Sequence, residues 1–151
     1  MLEEGQKAPA FSLEADDGKT YTLESFKGKR LVLYFYPKDN TSGCTREGIE
    51  FTDMKEQFGG KDTVVVGVSP DSVKSHQNFK SKQPIDLILL SDPDRAVASA
   101  YGAYGEKKMY GKITMGIIRS TFVIDKDSVI EKIYRNVKVN GHVEKVLCGL
   151  K

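Results

Sequence analysis

Apolar residues form two uninterrupted runs along the chain, at residues 31–36 (LVLYFY) and 64–69 (VVVGVS). Runs of this length predict central strands that are covered on both faces of a sheet. A third run at residues 86–91 (DLILLS) predicts another strand. Each run is followed by a segment with helical features, the first at residues 45–58, so the pattern predicts parallel strands alternating with helices.

The two ends of the chain have a different pattern. Weak alternation on either side of the turn signal Asp17-Gly18 predicts an N-terminal β-hairpin. The C-terminal part predicts an antiparallel pair of strands and then a helix, at residues 116–125, 129–137 and 141–150. Together these patterns predict an α/β fold with a mixed central β-sheet flanked by helices.

Length and charge narrow the class of protein. A chain of 151 residues predicts a single domain spanning residues 1–151, large enough to fold without disulfides or a metal. The 23 basic and 21 acidic side chains give a net charge of only +2. This balance argues against a nucleic-acid partner, which usually requires a basic stripe or a strongly basic domain.

The sequence also indicates where the protein works. The first residues, MLEEGQKAP, have neither a signal-peptide nor a transit-peptide pattern, and no apolar run reaches the roughly 20 residues of a membrane span. The two cysteines lie more than a hundred positions apart, unlike a secreted disulfide framework. We therefore expect a cytoplasmic protein with no membrane partner.

Cys44 lies where the strand at residues 31–36 gives way to the following helix. Unpaired N–H groups and partial positive charge at a helix N-terminus favour a thiolate, which is the reactive form of cysteine. The carboxyl end of a central strand is also where open α/β sheets place their ligand crevices. The alternative is that Cys44 is a small buried hydrophobic residue, which is the usual role of a free cysteine.

Residues 37–44 (PKDNTSGC) match Pro-x-x-x-Thr-x-x-Cys, the active-site signature of peroxiredoxins. Three longer stretches resemble one branch of that family, the bacterioferritin comigratory protein or peroxiredoxin Q type, in the expected order: LVLYFYPKDNTSGCTRE, GEKKMYGK with MGIIRSTFVID, and VNGHVEKVL. The resemblance spans nearly the whole chain. It implies a thioredoxin-like fold and the reduction of hydrogen peroxide or alkyl hydroperoxides, with no metal, haem or flavin.

The resemblance also implies the site residues. Cys44 matches the peroxidatic cysteine, Thr41 and Arg119 match the groups that orient and polarise the peroxide, and Pro37 matches the proline that shapes the pocket. Arg119 is notable on its own, because a charged side chain in an apolar strand is costly unless it is paired or functional. Glu47 is left outside this set, since the helix dipole alone favours a carboxylate in the first turn.

The sequence leaves open how the oxidised cysteine is reduced back to the thiol. Many members of the branch have a resolving cysteine five positions after the first, but this chain has Ile49 there. Cys148, the only other thiol, points away from the apolar face of the last helix. It could resolve Cys44 within the chain, resolve it across a homodimer, or take no part. In the last case an outside thiol reductant such as thioredoxin or glutaredoxin would act on a monomer or homodimer.

Other functions are less well supported. A thioredoxin-type thiol–disulfide oxidoreductase normally has a Cys-x-x-Cys pair, which Cys44 lacks. A non-enzymatic cysteine redox sensor, or a structural protein with an inert cysteine, remains an alternative. We interpret His76 and His142 as surface residues in polar helices, without metal-ligand spacing. Residues 101–112, with tyrosines among lysines, are interpreted as a loop.

Overall fold

The computed structural model describes residues 2–150, and these contain nine strands and five α-helices. The strands are β1 (Ser12–Glu14), β2 (Thr20–Thr22), β3 (Arg30–Phe35), β4 (Thr63–Ser69), β5 (Ile88–Ser91), β6 (Tyr104–Met109), β7 (Lys112–Ile117), β8 (Ser120–Ile124) and β9 (Ile130–Tyr134). The helices are α1 (Ser42–Asp53), α2 (Lys55–Gly59), α3 (Val73–Lys82), α4 (Ala96–Ala100) and α5 (His142–Cys148).

The central sheet has five strands in the order β5-β4-β3-β8-β9. β3, β4 and β5 are parallel to one another, whereas β8 is antiparallel to β3 and β9 is antiparallel to β8. The three apolar runs become the three parallel strands. The predicted α/β fold with a mixed sheet is therefore confirmed.

Each face of this sheet carries its own apolar cluster. Along β3, Leu33 and Phe35 contribute to one cluster, while Val32 and Tyr34 contribute to the other. This alternation follows from the two-residue period of a strand. All four side chains are buried, because both faces of the central strand are covered, as its continuous apolar run predicts.

The N-terminal hairpin is confirmed. Strands β1 and β2 pair antiparallel, with Leu13 opposite Tyr21. Gly18 has a φ of +83° in the turn between them. The carboxylate of Asp17 accepts hydrogen bonds from the Lys19 amide and the Tyr21 hydroxyl. The Asp-Gly signal therefore corresponds to a turn that needs a left-handed backbone.

The interpretation of residues 101–112 as a loop is wrong. Strands β6 and β7 form an antiparallel hairpin, with Met109 paired to Lys112. The two residues between them, Tyr110 and Gly111, have φ values of +51° and +78°. Two positive φ values are those of a type I′ turn, for which Asn-Gly is the usual sequence. Tyrosine in the first position hides the hairpin from a search for that sequence.

Residues 116–125 do not form one strand, contrary to the prediction. β7 ends at Ile117 and β8 begins at Ser120, so Ile118 and Arg119 join two different sheets. The chain is held at this junction by hydrogen bonds from the Ile118 amide to the Ala103 carbonyl and from the Val137 amide to the Arg119 carbonyl. Arg119 therefore lies directly before β8, not within a continuous strand.

The helix predicted at residues 45–58 is divided at Met54, which separates α1 from α2. Its apolar residues Phe51 and Phe58 are both buried. Helix α3 begins with a capped turn, since the Ser72 hydroxyl accepts a hydrogen bond from the Ser75 amide. Within residues 2–150, no helix combines the length and apolar character needed to cross a membrane.

The prediction that both histidines lie on the surface is wrong. His76 and His142 are buried, with exposed fractions of 0% and 5%. Each ring has a polar partner inside the protein: His142 Nε2 lies 2.8 Å from the Thr121 hydroxyl, and His76 lies beside Asp39. Buried polar side chains are stable when their hydrogen bonds are satisfied. These distant partners cannot be recognised from helical periodicity.

Candidate active site

Cys44 is the third residue of α1, whose N-cap is Thr41. The preceding segment connects it directly to the carboxyl end of β3, as predicted. Its side chain is buried, with 2% exposed. The thiol therefore lies among the free N–H groups of the first helical turn, where partial positive charge favours an anion.

Arg119 brings a full positive charge to this thiol. Its Nη2 donates a hydrogen bond to Cys44 Sγ at 3.3 Å. A Cβ atom at Gly43 would lie 3.3 Å from the same Nη2, so glycine leaves room for the guanidinium beside the helix. The structure thus brings together two of the residues expected in the site, from elements 75 positions apart in the sequence.

Glu47 is the functional candidate that the sequence interpretation left out. It is fully buried, and its Oε1 accepts a hydrogen bond from Arg119 Nη1 at 2.5 Å. Its other oxygen, Oε2, has no hydrogen-bond partner within residues 2–150. One feature of the sequence could have identified Glu47 as a site residue: it lies three residues after Cys44, on the same side of the helix.

The charge of Glu47 depends on two opposing effects. Burial raises the pKa of Glu47, the Arg119 guanidinium lowers it, and the result is a pKa of about 7. Arg119 itself is 16% exposed in its side chain. It therefore binds a buried carboxylate with one nitrogen and the thiol with another, which fixes its planar group in one orientation.

Thr41 and Pro37 occupy the segment before the helix. Thr41 is exposed, and its hydroxyl donates a hydrogen bond to the Lys38 carbonyl at 2.8 Å. Pro37 lines a cavity of about 650 Å³ together with Ile118 and Arg119. Residues of the β6–β7 hairpin and of the segment after β9 complete its walls. Pro37 and Arg119 therefore share a cavity wall.

This cavity also has charged walls. Lys107 and Glu106 of β6 and Arg135 line it, along with the apolar Val137. Burial lowers the pKa of Lys107, the charge of Arg119 lowers it further, and a negative charge at Cys44 acts in the opposite direction. The cavity therefore combines apolar surface with the guanidinium of Arg119, which is also the hydrogen-bond donor to the thiol.

The layer beneath the site is aromatic. Tyr34 stacks on Phe51 with ring centroids 4.7 Å apart, and Phe51 meets His142 edge to face. Burial raises the pKa of Tyr34 well above its ordinary value, and the charge of Glu47 adds to this. Burial lowers the pKa of His142 to about 4, helped by nearby cations. His142 is therefore neutral at pH 7 and contributes no charge to the site.

Cys148 has very different surroundings. Both cysteines within residues 2–150 are free, and Cys148 is exposed, as its position on the helix predicted. It is the last residue of α5, six residues after His142, which is about 9 Å along a helix axis. The other end of α5 is the one near Cys44, because Asn140 accepts a hydrogen bond from Arg46 at 3.1 Å.

Comparison with known proteins gives the class of this fold and site. Residues 4–133 match the model of the AhpC/TSA family. The chain is 51% identical over 149 residues to a putative peroxiredoxin bcp of Helicobacter pylori, covering 99% of this chain and 98% of that protein. It is 48% identical over 150 residues to peroxiredoxin Bcp of Bacillus subtilis, covering 99% and 96%.

Solved structures agree. The bacterioferritin comigratory protein of Xanthomonas campestris, described for its alkyl peroxide reduction activity, superimposes with a TM-score of 0.87 at 43% identity. The match covers 91% of this chain and 88% of that one. A cysteine-to-serine variant of peroxiredoxin Q from Xylella fastidiosa gives a TM-score of 0.91 at 41% identity, covering 98% and 94%.

The fold is thus thioredoxin-like, and the protein is a thiol-dependent peroxidase. The chain belongs to the AhpC/TSA family, as a peroxiredoxin of the bacterioferritin comigratory protein, or peroxiredoxin Q, type. A peroxiredoxin takes a peroxide as substrate and a thiol as reductant. The resemblance stated from the sequence is therefore confirmed at the level of family, fold and class of reaction.

Proposed function

We propose that Cys44 is the peroxidatic cysteine of this enzyme and that Arg119 is its principal partner. The observation that carries the proposal is the hydrogen bond of 3.3 Å from Arg119 Nη2 to Cys44 Sγ, formed at the start of α1. The thiol is buried, lies at a helix N-terminus and accepts a hydrogen bond from a cation. These surroundings favour the reactive thiolate.

The reaction is a two-electron displacement at one peroxide oxygen. The Cys44 thiolate attacks that oxygen, a sulfur–oxygen bond forms and the oxygen–oxygen bond breaks. The second oxygen leaves as hydroxide or alkoxide and takes up a proton, giving water or an alcohol. Sulfur is oxidised to the sulfenic acid while the peroxide is reduced. Because negative charge moves from sulfur to oxygen, the fixed guanidinium of Arg119 stabilises both the thiolate and the leaving oxygen.

The other site residues support this step. Glu47 is a positioning residue, since it fixes Arg119 through the Nη1 hydrogen bond. Thr41 offers hydroxyl lone pairs at the N-cap, where they can orient the peroxide. Pro37 supplies a cavity wall without a free N–H group. In this way the peroxide is bound between an apolar wall and preorganised donors.

We propose hydrogen peroxide and alkyl hydroperoxides as substrates. The cavity beside Arg119 has apolar wall residues, Ile118 and Val137, that suit an alkyl group. The Xanthomonas relative is described for alkyl peroxide reduction, which supports the same chemistry for this chain. We propose that the reductant is a small thiol protein such as thioredoxin or glutaredoxin.

Resolution of the sulfenic acid is assigned to this outside thiol. Cys148 is at the far end of α5 from the Arg46–Asn140 contact, and a disulfide needs Cα atoms within about 7 Å. We therefore propose that Cys148 takes no part. A disulfide within the chain or across a homodimer remains the competing outcome of the test below. A Cys-x-x-Cys reaction is not available to Cys44, since no cysteine follows within three positions.

The cellular setting is proposed on the same basis. We propose that residues 1–151 act as one domain, because both apolar clusters lie against the same five-stranded sheet. We propose a cytoplasmic monomer or homodimer, since the free thiol of Cys44 needs a reducing compartment to return to its active form.

Replacement of each cysteine tests the proposal. Peroxide consumption with a thiol reductant should be abolished in Cys44→Ser and kept within twofold of the native rate in Cys148→Ser. Intact mass after one equivalent of hydrogen peroxide, with a thiol-trapping reagent present, should show a sulfenic acid on Cys44 and a free Cys148. Native turnover by Cys44→Ser contradicts the proposal. A Cys44–Cys148 disulfide keeps the peroxidase but replaces the proposed mode of resolution.

A further inference from the structure

A buried charged pair lies next to the active-site segment, and the peroxidase mechanism above does not use it. Asp39 and His76 have side-chain exposures of 1% and 0%. Nδ1 of His76 lies 2.7 Å from Asp39 Oδ2, and Nε2 lies 2.8 Å from the Leu90 carbonyl oxygen. Both ring nitrogens therefore face oxygen atoms at hydrogen-bond distance.

Counting donors fixes the protonation of the ring. The Leu90 carbonyl can only accept, so Nε2 carries a proton. Asp39 already accepts from the Tyr36 hydroxyl on Oδ1 at 2.7 Å and from the Ser75 hydroxyl on Oδ2 at 2.8 Å, which is the behaviour of a carboxylate. A hydrogen bond from Nδ1 to Asp39 then needs a second ring proton, which would make His76 an imidazolium.

The charges around His76 agree with this protonation. The turn between β4 and α3 contributes the Asp71 carboxylate. The segment between β3 and α1 contributes Asp39 and the Tyr36 hydroxyl, which lies 3.5 Å from Nδ1. On α3 itself, Lys80 is one turn further on and is paired with Asp16. Burial lowers the pKa of His76, but the hydrogen bond and charge of Asp39 raise it above its ordinary value overall.

Asp39 belongs to the segment that carries Pro37 and Thr41. Its neighbour Asn40 has a φ of +63°, a left-handed backbone that non-glycine residues adopt at some cost. The Asp39 amide donates to Asp71 Oδ2 at 2.8 Å. The segment between β3 and α1 is therefore tied, through the Asp39 side chain and amide, to α3 and to the turn before it.

We propose that His76 is a positioning residue of the peroxidase: as an imidazolium it holds Asp39, and through Asp39 it holds Pro37 and Thr41 in their places beside Cys44. This inference rests on the proposed function of Cys44. The Asp39–His76 pair does not touch the thiol. It fixes the backbone that shapes the peroxide pocket, so its loss affects the reaction with peroxide more than the reactivity of the thiolate itself.

The sign of the pH dependence follows from the donor count. A neutral ring has one N–H group for two acceptors, so loss of a proton leaves either Asp39 or the Leu90 carbonyl without its bond. Because the folded pKa of His76 is raised, its stabilisation is complete below the unfolded value of about 6.5 and is lost as pH rises through the folded pKa. The segment is therefore held most firmly below pH 6.5 and is released as pH rises through the raised folded pKa.

Nitrogen-15 NMR of histidine-labelled protein tests the protonation directly. The chain has two histidines, and His142 is an internal control, since its pKa of about 4 makes it neutral. At pH 6.5, where an unperturbed histidine is about half neutral, most His76 rings should carry protons on both nitrogens, whereas His142 should carry a proton on one nitrogen. A singly protonated His76 overturns the inference, whatever the enzyme's activity.

Matched variants test the positioning role. In His76→Asn the side-chain amide keeps a donor near the Nδ1 position, towards Asp39, whereas His76→Gln keeps one near Nε2, towards Leu90. Ser75→Ala removes a neutral donor to the same Asp39 oxygen and serves as the control. For each protein, the rate of Cys44 oxidation by hydrogen peroxide is divided by its rate of alkylation with iodoacetamide, which cancels the thiolate fraction.

At pH 6 this ratio should fall at least tenfold in His76→Gln and at most threefold in His76→Asn and Ser75→Ala. In native protein and in Ser75→Ala the ratio should decline more steeply with rising pH than in either His76 variant, where only the titration of Glu47 remains. Equal ratios in the two His76 variants, or a native pH profile that matches theirs, overturn the inference. Failure of native Cys44 to react with peroxide overturns the proposed function instead, and the NMR result still bears on His76 alone.

Discussion

The two cysteines of this chain lie at opposite ends of helices. Cys44 is the third residue of α1 and is 2% exposed, whereas Cys148 is the last residue of α5 and is exposed. Access to solvent alone would favour Cys148. The N-terminus of a helix favours an anion and the C-terminus does not, so the buried cysteine is the one placed for thiolate chemistry.

The contrast extends to the partners of each thiol. Arg119 donates to Cys44 Sγ and is itself fixed by the buried Glu47. This arrangement costs stability, since it buries a carboxylate with one unpartnered oxygen within residues 2–150. A preorganised cation, and not exposure, therefore distinguishes the proposed reactive cysteine from the other one.

Removal of the cation should have the largest effect. Arg119→Met should lower the second-order rate with hydrogen peroxide by about a thousandfold, the upper range for loss of one preorganised charge-stabilising group. This rate is measured by mixing with peroxide, quenching after set times and determining the oxidation of Cys44 by mass spectrometry. Arg119→Lys keeps the positive charge but loses the planar guanidinium with its paired donors, so it should recover part of the lost rate. A native rate in Arg119→Met would show that the helix N-terminus alone activates Cys44.

Glu47→Gln should change the pH dependence of stability. Because the pKa of Glu47 rises from 4.5 to about 7 on folding, the folded state holds a proton between these values that the unfolded state loses. The free energy of unfolding should therefore fall by about 3 kcal/mol from pH 4.5 to pH 7 through this group.

Urea unfolding at several pH values measures that change. The native free energy of unfolding minus that of Glu47→Gln should fall by this amount, because the opposing contribution of His142, whose pKa is lowered to about 4, is common to both proteins. The same difference should not fall for Glu50→Gln, a carboxylate on the same helix that pairs with Arg46. If Glu47→Gln keeps the native pH slope, Glu47 is ionised throughout this range, and the buried group responsible lies elsewhere.

A smaller effect is expected at the N-cap. Thr41→Val removes the hydroxyl that donates to the Lys38 carbonyl and that we propose orients the peroxide. The rate of Cys44 oxidation should fall by about fivefold, corresponding to about 1 kcal/mol for one hydrogen bond. Thr45→Val, one residue after Cys44, is the control and should stay within twofold. Equal rates for the two variants would remove Thr41 from the site.

The smallest effect is expected at the exposed cysteine. Cys148→Ser should leave the rate of Cys44 oxidation unchanged within twofold, because the thiol lies at the far end of α5. Turnover with an outside thiol reductant should also be unchanged. Loss of turnover with a native first step would instead make Cys148 the resolving cysteine.

Local patterns were sufficient to predict the parallel strands and the position of Cys44, because apolar runs and helix starts are read within a few residues. The role of Glu47 was missed, since its partner Arg119 is 72 positions away. His76 was misread for the same reason: its burial depends on Asp39 and Leu90. Tertiary contacts decide where a polar side chain lies, and helical periodicity does not report them.

The most direct test compares the two cysteines in one molecule. Native protein is mixed with less than one equivalent of hydrogen peroxide at pH 7, the sulfenic acid is trapped with dimedone, and peptides carrying each cysteine are quantified by mass spectrometry. We predict that nearly all of the adduct lies on Cys44, although Cys148 is the more exposed thiol. An adduct found mainly on Cys148, or divided equally between the two, would contradict Cys44 as the peroxidatic cysteine.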